Sequence, residues 1–399
     1  MALTLALATL SDTADAAQPA ATLGVYAGAG APDAVATFES RLGRPVTFVH
    51  DTFARENWGT LTDPRWFVEQ WSTTKYAQRV VYTVPMLPDS GGTLAEGARG
   101  AYNEHFRTLA QRLVAGGQGN ATLRIGPEFN GNWFRWTIAV PHGAADFAAF
   151  WRQIVTTMRS VPGANFKFDW CPNNGSSYVG GKQLQASSAW PGDAYVDYVG
   201  LDVYDQSWAT HRANAGARWN EYLTQPNGLR WHRAFAAAHG KPMTFPEWGI
   251  ANRHDGYGGG DSPLFIERMY EWIRTNNVAY HLYFEYADPN ADYAMFNGKV
   301  PNSARRFVEL FGSGSTGAAL GTPAARGGAA STRKRAAGKK AARCVGRTRK
   351  VRSKGRLKVR RATCVKRTAK RANRRKKVAR RTPSASASAR TAAARRKAA

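Results

Sequence analysis

Short runs of β-branched and aromatic residues recur eight times along the chain, each followed by a turn and then by a stretch with helical periodicity. The pattern predicts strands over Leu23–Tyr26, Val46–His50, Val80–Val84 and Thr122–Ile125, then over Phe166–Trp170, Tyr198–Val203, Met243–Phe245 and Ala279–Phe284. Their starts lie about 37 residues apart, which suits a strand–helix unit and is too long for a β-sandwich. Asp63-Pro64 and Ser262-Pro263 read as helix starts, each with a capping side chain before a first-turn proline. Gly116-Gly117, Gly163 and Gly240 read as helix ends. Eight such units in succession predict an α/β fold, the (β/α)8 TIM barrel. An open, doubly wound dinucleotide fold is the alternative, since Gly28 and Gly30 follow the first strand and Asp51 ends the second. The third glycine of that fingerprint is missing, however, and Asp33 would face the pyrophosphate.

Composition divides the chain in three. Residues 313–399 hold 30 Lys and Arg and no Asp or Glu, leaving 26 basic against 28 acidic residues in 1–312. The basic pI of the whole is thus a property of the tail. Residues 22–312 are expected to form the barrel, and 313–399 a disordered tail, because like charges repel and almost nothing apolar is there to bury. Residues 1–21 read as a signal peptide or leader: Ala2–Leu10 is apolar and Ala14-Asp15-Ala16 is a small-residue cleavage tripeptide, although no basic segment precedes them. Export to the outside or to the cell envelope is expected on that basis. Cys344 and Cys364 would then be able to clip a small hairpin in the tail. No apolar stretch after the N-terminus is long enough for an integral membrane span.

A barrel of this kind carries its chemistry at the C-terminal ends of its strands. The fourth predicted strand runs into Arg124-Ile-Gly-Pro-Glu128-Phe-Asn130-Gly131-Asn-Trp133-Phe-Arg-Trp136, and the seventh into Glu247-Trp248-Gly249. In both, a single Glu ends an apolar run and is followed by aromatics. The first string resembles the acid/base segment of glycoside hydrolase family 26. The segment Pro191 to Tyr204, with Asp193, Asp197, Gly200 and Asp202, is similar to that family's sixth strand, and Glu247-Trp-Gly to its nucleophile strand. The resemblance spans about residues 22–312. It implies a retaining β-glycanase with Glu128 as acid/base and Glu247 as nucleophile, most often a β-1,4-mannanase, with β-glucanases and β-xylanases also in the family.

That chemistry needs carboxyls about 5–5.5 Å apart and with unlike protonation. Glu128 is expected to stay protonated through apolar walls and the charge of Glu247. Glu247 is expected to stay ionised through Arg124, four residues before Glu128, and through Tyr204; for Arg124 the structural alternative is a buried ion pair with Asp202 or Asp169. The family usually carries His before its acid/base Glu, whereas Pro127 stands here, with neither a side-chain donor nor an N–H. Asn130 or Asn173 is the expected substitute.

Trp133, Trp136, Trp170, Trp190, Trp208 and Trp248 fall in or beside predicted loops after strands four to seven. Indoles cover the C–H faces of pyranose rings at low entropic cost. Of the strand-end pair, Trp170 and Trp248 are expected to act as such platforms. Asn173-Asn174-Gly175 and Asp193 offer hydrogen bonds to sugar hydroxyls, while Asp169, Asp202 and Glu285 are expected to be structural. No HExxH, GxSxG or P-loop occurs, so neither metal nor cofactor is expected. Cys171 reads as a small apolar residue.

The chain is thus expected to be a monomeric, secreted glycosidase acting on a β-glycan. The alternative is a non-catalytic glycan-binding barrel. In either case the tail would bind a polyanion, the anionic cell envelope if exported or nucleic acid if retained.

Overall fold

The computed structural model describes residues 21–177, 183–289 and 291–313, and the backbone of 178–179, 182, 350–353 and 356–359. Eight parallel strands close on themselves: β1 (Thr22–Tyr26), β2 (Phe48–Thr52), β3 (Val80–Val84), β4 (Thr122–Ile125), β5 (Lys167–Trp170), β6 (Tyr198–Gly200), β7 (Met243–Gly249) and β8 (Val278–Phe284). Closure comes from β8, which pairs with β1 from Thr22↔Tyr280 to Tyr26↔Phe284 and also with β7. Beyond Gly200 the sixth strand resumes as Val203–Tyr204, alongside Trp248 and Gly249. The fold is the (β/α)8 barrel that the strand spacing predicts.

Eight main helices surround it: α1 (Pro32–Leu42), α2 (Arg65–Ser72), α3 (Asn103–Ala115), α4 (Gly143–Arg159), α5 (Ala215–Thr224), α6 (Leu229–Ala238), α7 (Pro263–Thr275) and α8 (Pro301–Phe311). They are not one per strand. Where the regular alternation predicts a helix after β5, the chain makes only the 3₁₀ turns Ala186–Ala189 and Asp193–Tyr195, and β6 is followed by two helices. Pro172 and Pro191 bracket that stretch and interrupt helical hydrogen bonding. The Ser262 hydroxyl, expected to cap α7, makes no cap hydrogen bond and instead receives Arg218 Nη2 at 3.4 Å.

Strand periodicity sorts the core into two layers. Phe168, Trp170, Val199, Phe245 and Trp248 point outward and join the large layer between sheet and helices. Val81, Tyr280 and Leu282 form the small cluster within the barrel. Asp169 faces inward, where it accepts Thr244 Oγ1 (2.6 Å) and the Tyr280 hydroxyl. Trp248 is fully buried among Phe265, Tyr283, Phe307 and Phe311.

Among the described residues no helix is long and apolar enough to cross a membrane. The leader and the pair Cys344 and Cys364 lie outside the described residues. Between those cysteines, Lys350–Ser353 and Arg356–Val359 pair as an antiparallel hairpin. That hairpin falls in a separate unit from the barrel.

Trp248→Ala is expected to lower the barrel's unfolding free energy by about 3–5 kcal/mol, as for other buried aromatic truncations. Trp133→Ala, at a partly exposed position, should lower it far less. Denaturant unfolding followed by circular dichroism measures both, and equal losses would contradict the burial described.

Candidate active site

Three inward positions at the C-terminal mouth meet at one guanidinium. Arg124, on β4, donates from Nη1 to Glu247 Oε1 at 2.5 Å and to Thr83 Oγ1 at 3.0 Å, and from Nη2 to Asp202 Oδ2. Arg124 and Asp202 are buried, whereas the Glu247 side chain keeps 17% of its surface exposed. Thus Arg124 engages Glu247 and Asp202 together, uniting the two partners that sequence reasoning set as alternatives; Asp169 is not one of them.

Glu247 reaches the mouth through an irregularity in β7. Phe245 pairs with His281 and Trp248 with Tyr283, so β7 carries one extra residue there. Such bulges re-aim side chains and accommodate a proline without an N–H, here Pro246. The Tyr204 hydroxyl donates to Glu247 Oε2 at 2.9 Å. Burial alone would raise the Glu247 carboxyl. The charge of Arg124, with hydrogen bonds from Arg124 and Tyr204, brings it below the ordinary carboxylate range.

Glu128 lies on the loop after β4 in the left-handed region, with φ of 55°. A non-glycine residue there is uncommon and is held by its surroundings. Its N–H donates to Cys171 O at 2.8 Å, and its carbonyl accepts Gly131 N–H at 2.9 Å. Trp133 Nε1 donates to its Oε2 at 2.7 Å. The Trp133 ring lies on Gly131, where an added Cβ would come within 2.4 Å of it. Burial and the nearby charge of Glu247 push the Glu128 carboxyl up to about 7, against the opposing pull of Arg124 and Trp133. The two carboxyls therefore occupy one electrostatic site with opposed protonation.

The remaining sequence-selected residues divide sharply. Trp133 is 37% exposed and presents an aromatic face. Trp136 is buried, donating Nε1 to Pro127 O at 2.7 Å and stacking on Phe134, so it holds the loop and offers no sugar platform. Trp170 and Trp248 are also corrections: both are wholly buried in the layer beneath the helices. Their inward neighbours Asp169 and Glu247 force them outward by the period of two.

Asn130 is buried and fully committed, accepting Asn173 N–H at 2.8 Å while its amide donates to Asn173 O and Gly175 O. The Asn173 amide donates to Asn174 O at 2.9 Å. Asn130 is therefore not free to replace the histidine missing at Pro127, whereas the half-buried Asn173 side chain spends one amide N–H on that bond. Asp193 precedes β6, at the opposite end of the barrel from the carboxyls, and binds His239 and Trp190.

Sequence reasoning missed His50 and Thr83, which support the cluster from β2 and β3. His50 Nε2 meets Thr83 Oγ1 at 2.8 Å, and burial pulls its imidazole down to about 3, so it is neutral near pH 7. Their signal was faint: Thr83 is one hydroxyl within Val80–Val84, and His50 ends the apolar run Val46–His50 beside Asp51.

The family model for glycosyl hydrolase family 26 matches residues 120–240, which hold Arg124, Glu128, Asp202 and Tyr204. Endoglucanase H from Acetivibrio thermocellus is 28% identical over 294 residues, 71% of this chain and 29% of that protein. The chain thus spans less than a third of the length of this curated relative. GH26C from Muricauda sp. superposes with a TM-score of 0.53 at 16% identity, over 74% of this chain and 86% of that one. A modular endo-β-1,4-mannanase from Cellulomonas fimi gives 0.52 at 18% identity, over 72% and 70%. These two likenesses speak for the fold alone. Motif, alignment and fold agree, and the family that this chain resembles is glycosyl hydrolase family 26.

Proposed function

We propose that the chain hydrolyses β-linked neutral polysaccharide, β-1,4-mannan in the first place, by retaining double displacement without a cofactor. One arrangement supports this reading: Arg124 and Tyr204 both donate to Glu247, Trp133 donates to Glu128, and the charge of Glu247 together with burial pushes the Glu128 carboxyl up to about 7 while Glu247 stays below the ordinary range. Glu128 gives its proton to the departing glycosidic oxygen as Glu247 attacks the anomeric carbon. Glu128, now a base, takes a proton from the water that releases the sugar from Glu247. Arg124 and Tyr204 position the attacking carboxylate and keep it charged until the bond forms. Trp133 aims the Glu128 carboxyl through its N–H and lays its ring beside the leaving group.

A β-glucan substrate is the second reading. It is favoured by the name of the curated relative, Endoglucanase H, and by Pro127. The basic tail, on this proposal, tethers an exported enzyme to a polyanion such as the anionic cell envelope.

Reducing-sugar release from mannan, lichenan and xylan tests the activity, with Glu247→Ala as the control. Release from mannan or lichenan by the wild type alone supports the proposal. No release from any of the three would leave a non-catalytic glycan-binding barrel, and release that survives Glu247→Ala would remove that residue from its role.

Activity against pH should form a bell. The alkaline limb falls as Glu128 loses its proton near pH 7, and the acid limb lies below the ordinary carboxylate range, where Glu247 gains one. Tyr204→Phe should move the acid limb upward by about one pH unit, equivalent to about 1.4 kcal/mol. Initial rates across pH 3–9 (roughly the span that includes both carboxyls) measure both limbs.

Glu128→Ala should slow polymer hydrolysis by about 10²–10⁴-fold. It should slow a dinitrophenyl glycoside far less, because that leaving group departs without a proton. Equal losses on the two substrates would deny Glu128 the acid role.

A further inference from the structure

Five large apolar side chains are exposed among the described residues, and all lie on segments following barrel strands: Trp66, Trp133, Val140, Trp208 and Tyr257. Two of them form a unit. Trp208, from the loop after β6, and Tyr257, from the loop after β7, stack with centroids 6.0 Å apart and planes 29° from parallel. Trp208 remains 61% exposed and Tyr257 45%. Isolated exposed aromatics are ordinary, whereas a stacked pair held in place on the face that carries the chemistry needs an explanation.

The pair is held firmly. Ser207 N–H donates to Tyr257 O at 2.9 Å, and Gly259 N–H to Asp205 O at 2.7 Å, so the two loops are tied backbone to backbone. A Cβ on Gly259 would lie 1.9 Å from Asp205 Oδ2, an approach that only glycine permits. Beneath them Asp205 is buried against Arg218 (2.9 and 3.1 Å) and the Tyr222 hydroxyl (2.9 Å). Rings so fixed lose little conformational freedom when a ligand stacks on them.

A line of contacts connects the pair to the reacting carboxylate. Tyr204, bonded to Glu247, lies with its ring 4.7 Å from that of Tyr293. Asn252 and Arg253 pair with Asp292 and Ala291, just before Tyr293, and the Arg253 guanidinium sits 5.2 Å over the Trp208 ring. Arg253 is itself neutralised by Asp255, through contacts of 2.5–3.2 Å, and bonded to Gln206 at 3.1 Å. The platform therefore presents flat apolar faces without net charge.

We infer that Trp208 and Tyr257 form a distal binding platform for the pyranose rings of an uncharged glycan chain, remote from the bond that is cut. The inference rests on the glycosidase reading above and adds where a long substrate is held. Stacking against C–H faces suits neutral sugars, and Arg253, the cation that lies over the Trp208 ring, is paired with Asp255.

The test compares Trp208→Ala, Tyr257→Ala and Trp208→Phe with the wild type. Each is assayed for kcat/KM on the polysaccharide it cleaves and on a short aryl glycoside. The ratio of polymer to short-substrate kcat/KM is expected to fall about tenfold in each alanine variant, equivalent to about 1.4 kcal/mol. Trp208→Phe should restore most of it. An unchanged ratio in a wild type that does hydrolyse the polymer would overturn the platform and leave the glycosidase reading standing.

A wild type inactive on every glycan would instead sink that reading. The platform is then judged by affinity electrophoresis of Glu247→Gln in mannan, lichenan and alginate gels. Retardation by the neutral polymers that Trp208→Ala abolishes supports it. Retardation by alginate alone, or none that depends on Trp208, overturns it.

Discussion

Everything at the mouth of the barrel is organised by a guanidinium that cannot lose its charge. Arginine stays protonated at any working pH, and Arg124 is buried beneath the site with Glu247 on one nitrogen and Asp202 on the other. Burying such a group costs several kcal/mol unless its hydrogen bonds are well made, so strands β3, β4 and β7 and the Asp202 segment are held to one arrangement around it. The arrangement is unequal by construction. Glu247 receives two donors, from Arg124 and Tyr204, whereas Glu128 receives one from the neutral Trp133 indole. The unequal protonation of the two carboxyls follows from burial of Glu128 beside the charge of Glu247, and from the charge of Arg124 with the two donors on Glu247.

Glu128 is held by backbone more than by charge. Its left-handed conformation is fixed from both sides, by its own N–H on Cys171 O and by the Trp136 indole on the preceding Pro127 carbonyl. Pro127 thus has a structural part: its carbonyl anchors the loop. Proline has no side-chain donor, and Asn130 is occupied in bracing the loops around it. On the proposed function, the departure from the family pattern would fall on recognition of the sugar rather than on the frame that carries the carboxyls.

The barrel was legible because a strand's apolar run has a characteristic length and spacing, and seven of the eight strand-to-helix units follow it. The unit after β5 does not, because its helical signal was assumed from the repeat although Pro172 and Pro191 stand against it. Arg124, Glu128 and Glu247 were legible as charged residues at the ends of apolar strands. The misread tryptophans come from the same strands. Alternation requires that when Asp169 and Glu247 face the interior, Trp170 and Trp248 face the helices, so sequence adjacency to a site is evidence against sharing it. His50 and Thr83 stayed hidden because a lone polar residue inside a β-branched run looks like a satisfied core group. The parallel pairing of β2, β3 and β4, which sets Thr83 directly across from Arg124, brings them to the site.

Two electrostatic regimes coexist in one polypeptide. In the barrel a few largely buried charges act at hydrogen-bonding distance, where salt screens them little. In residues 313–399 thirty cationic side chains lie along the sequence without a single acidic partner, and interactions of that kind weaken steeply as salt rises. The near-neutral remainder of the chain does not share in that behaviour, since the 26 basic and 28 acidic residues of 1–312 almost cancel. On the proposed function, a neutral glycan would be recognised by shape, stacking and buried hydrogen bonds, and a polyanion by counterion release. Ionic strength would then release the second without disturbing the first, so chemistry and attachment would be separable in one chain.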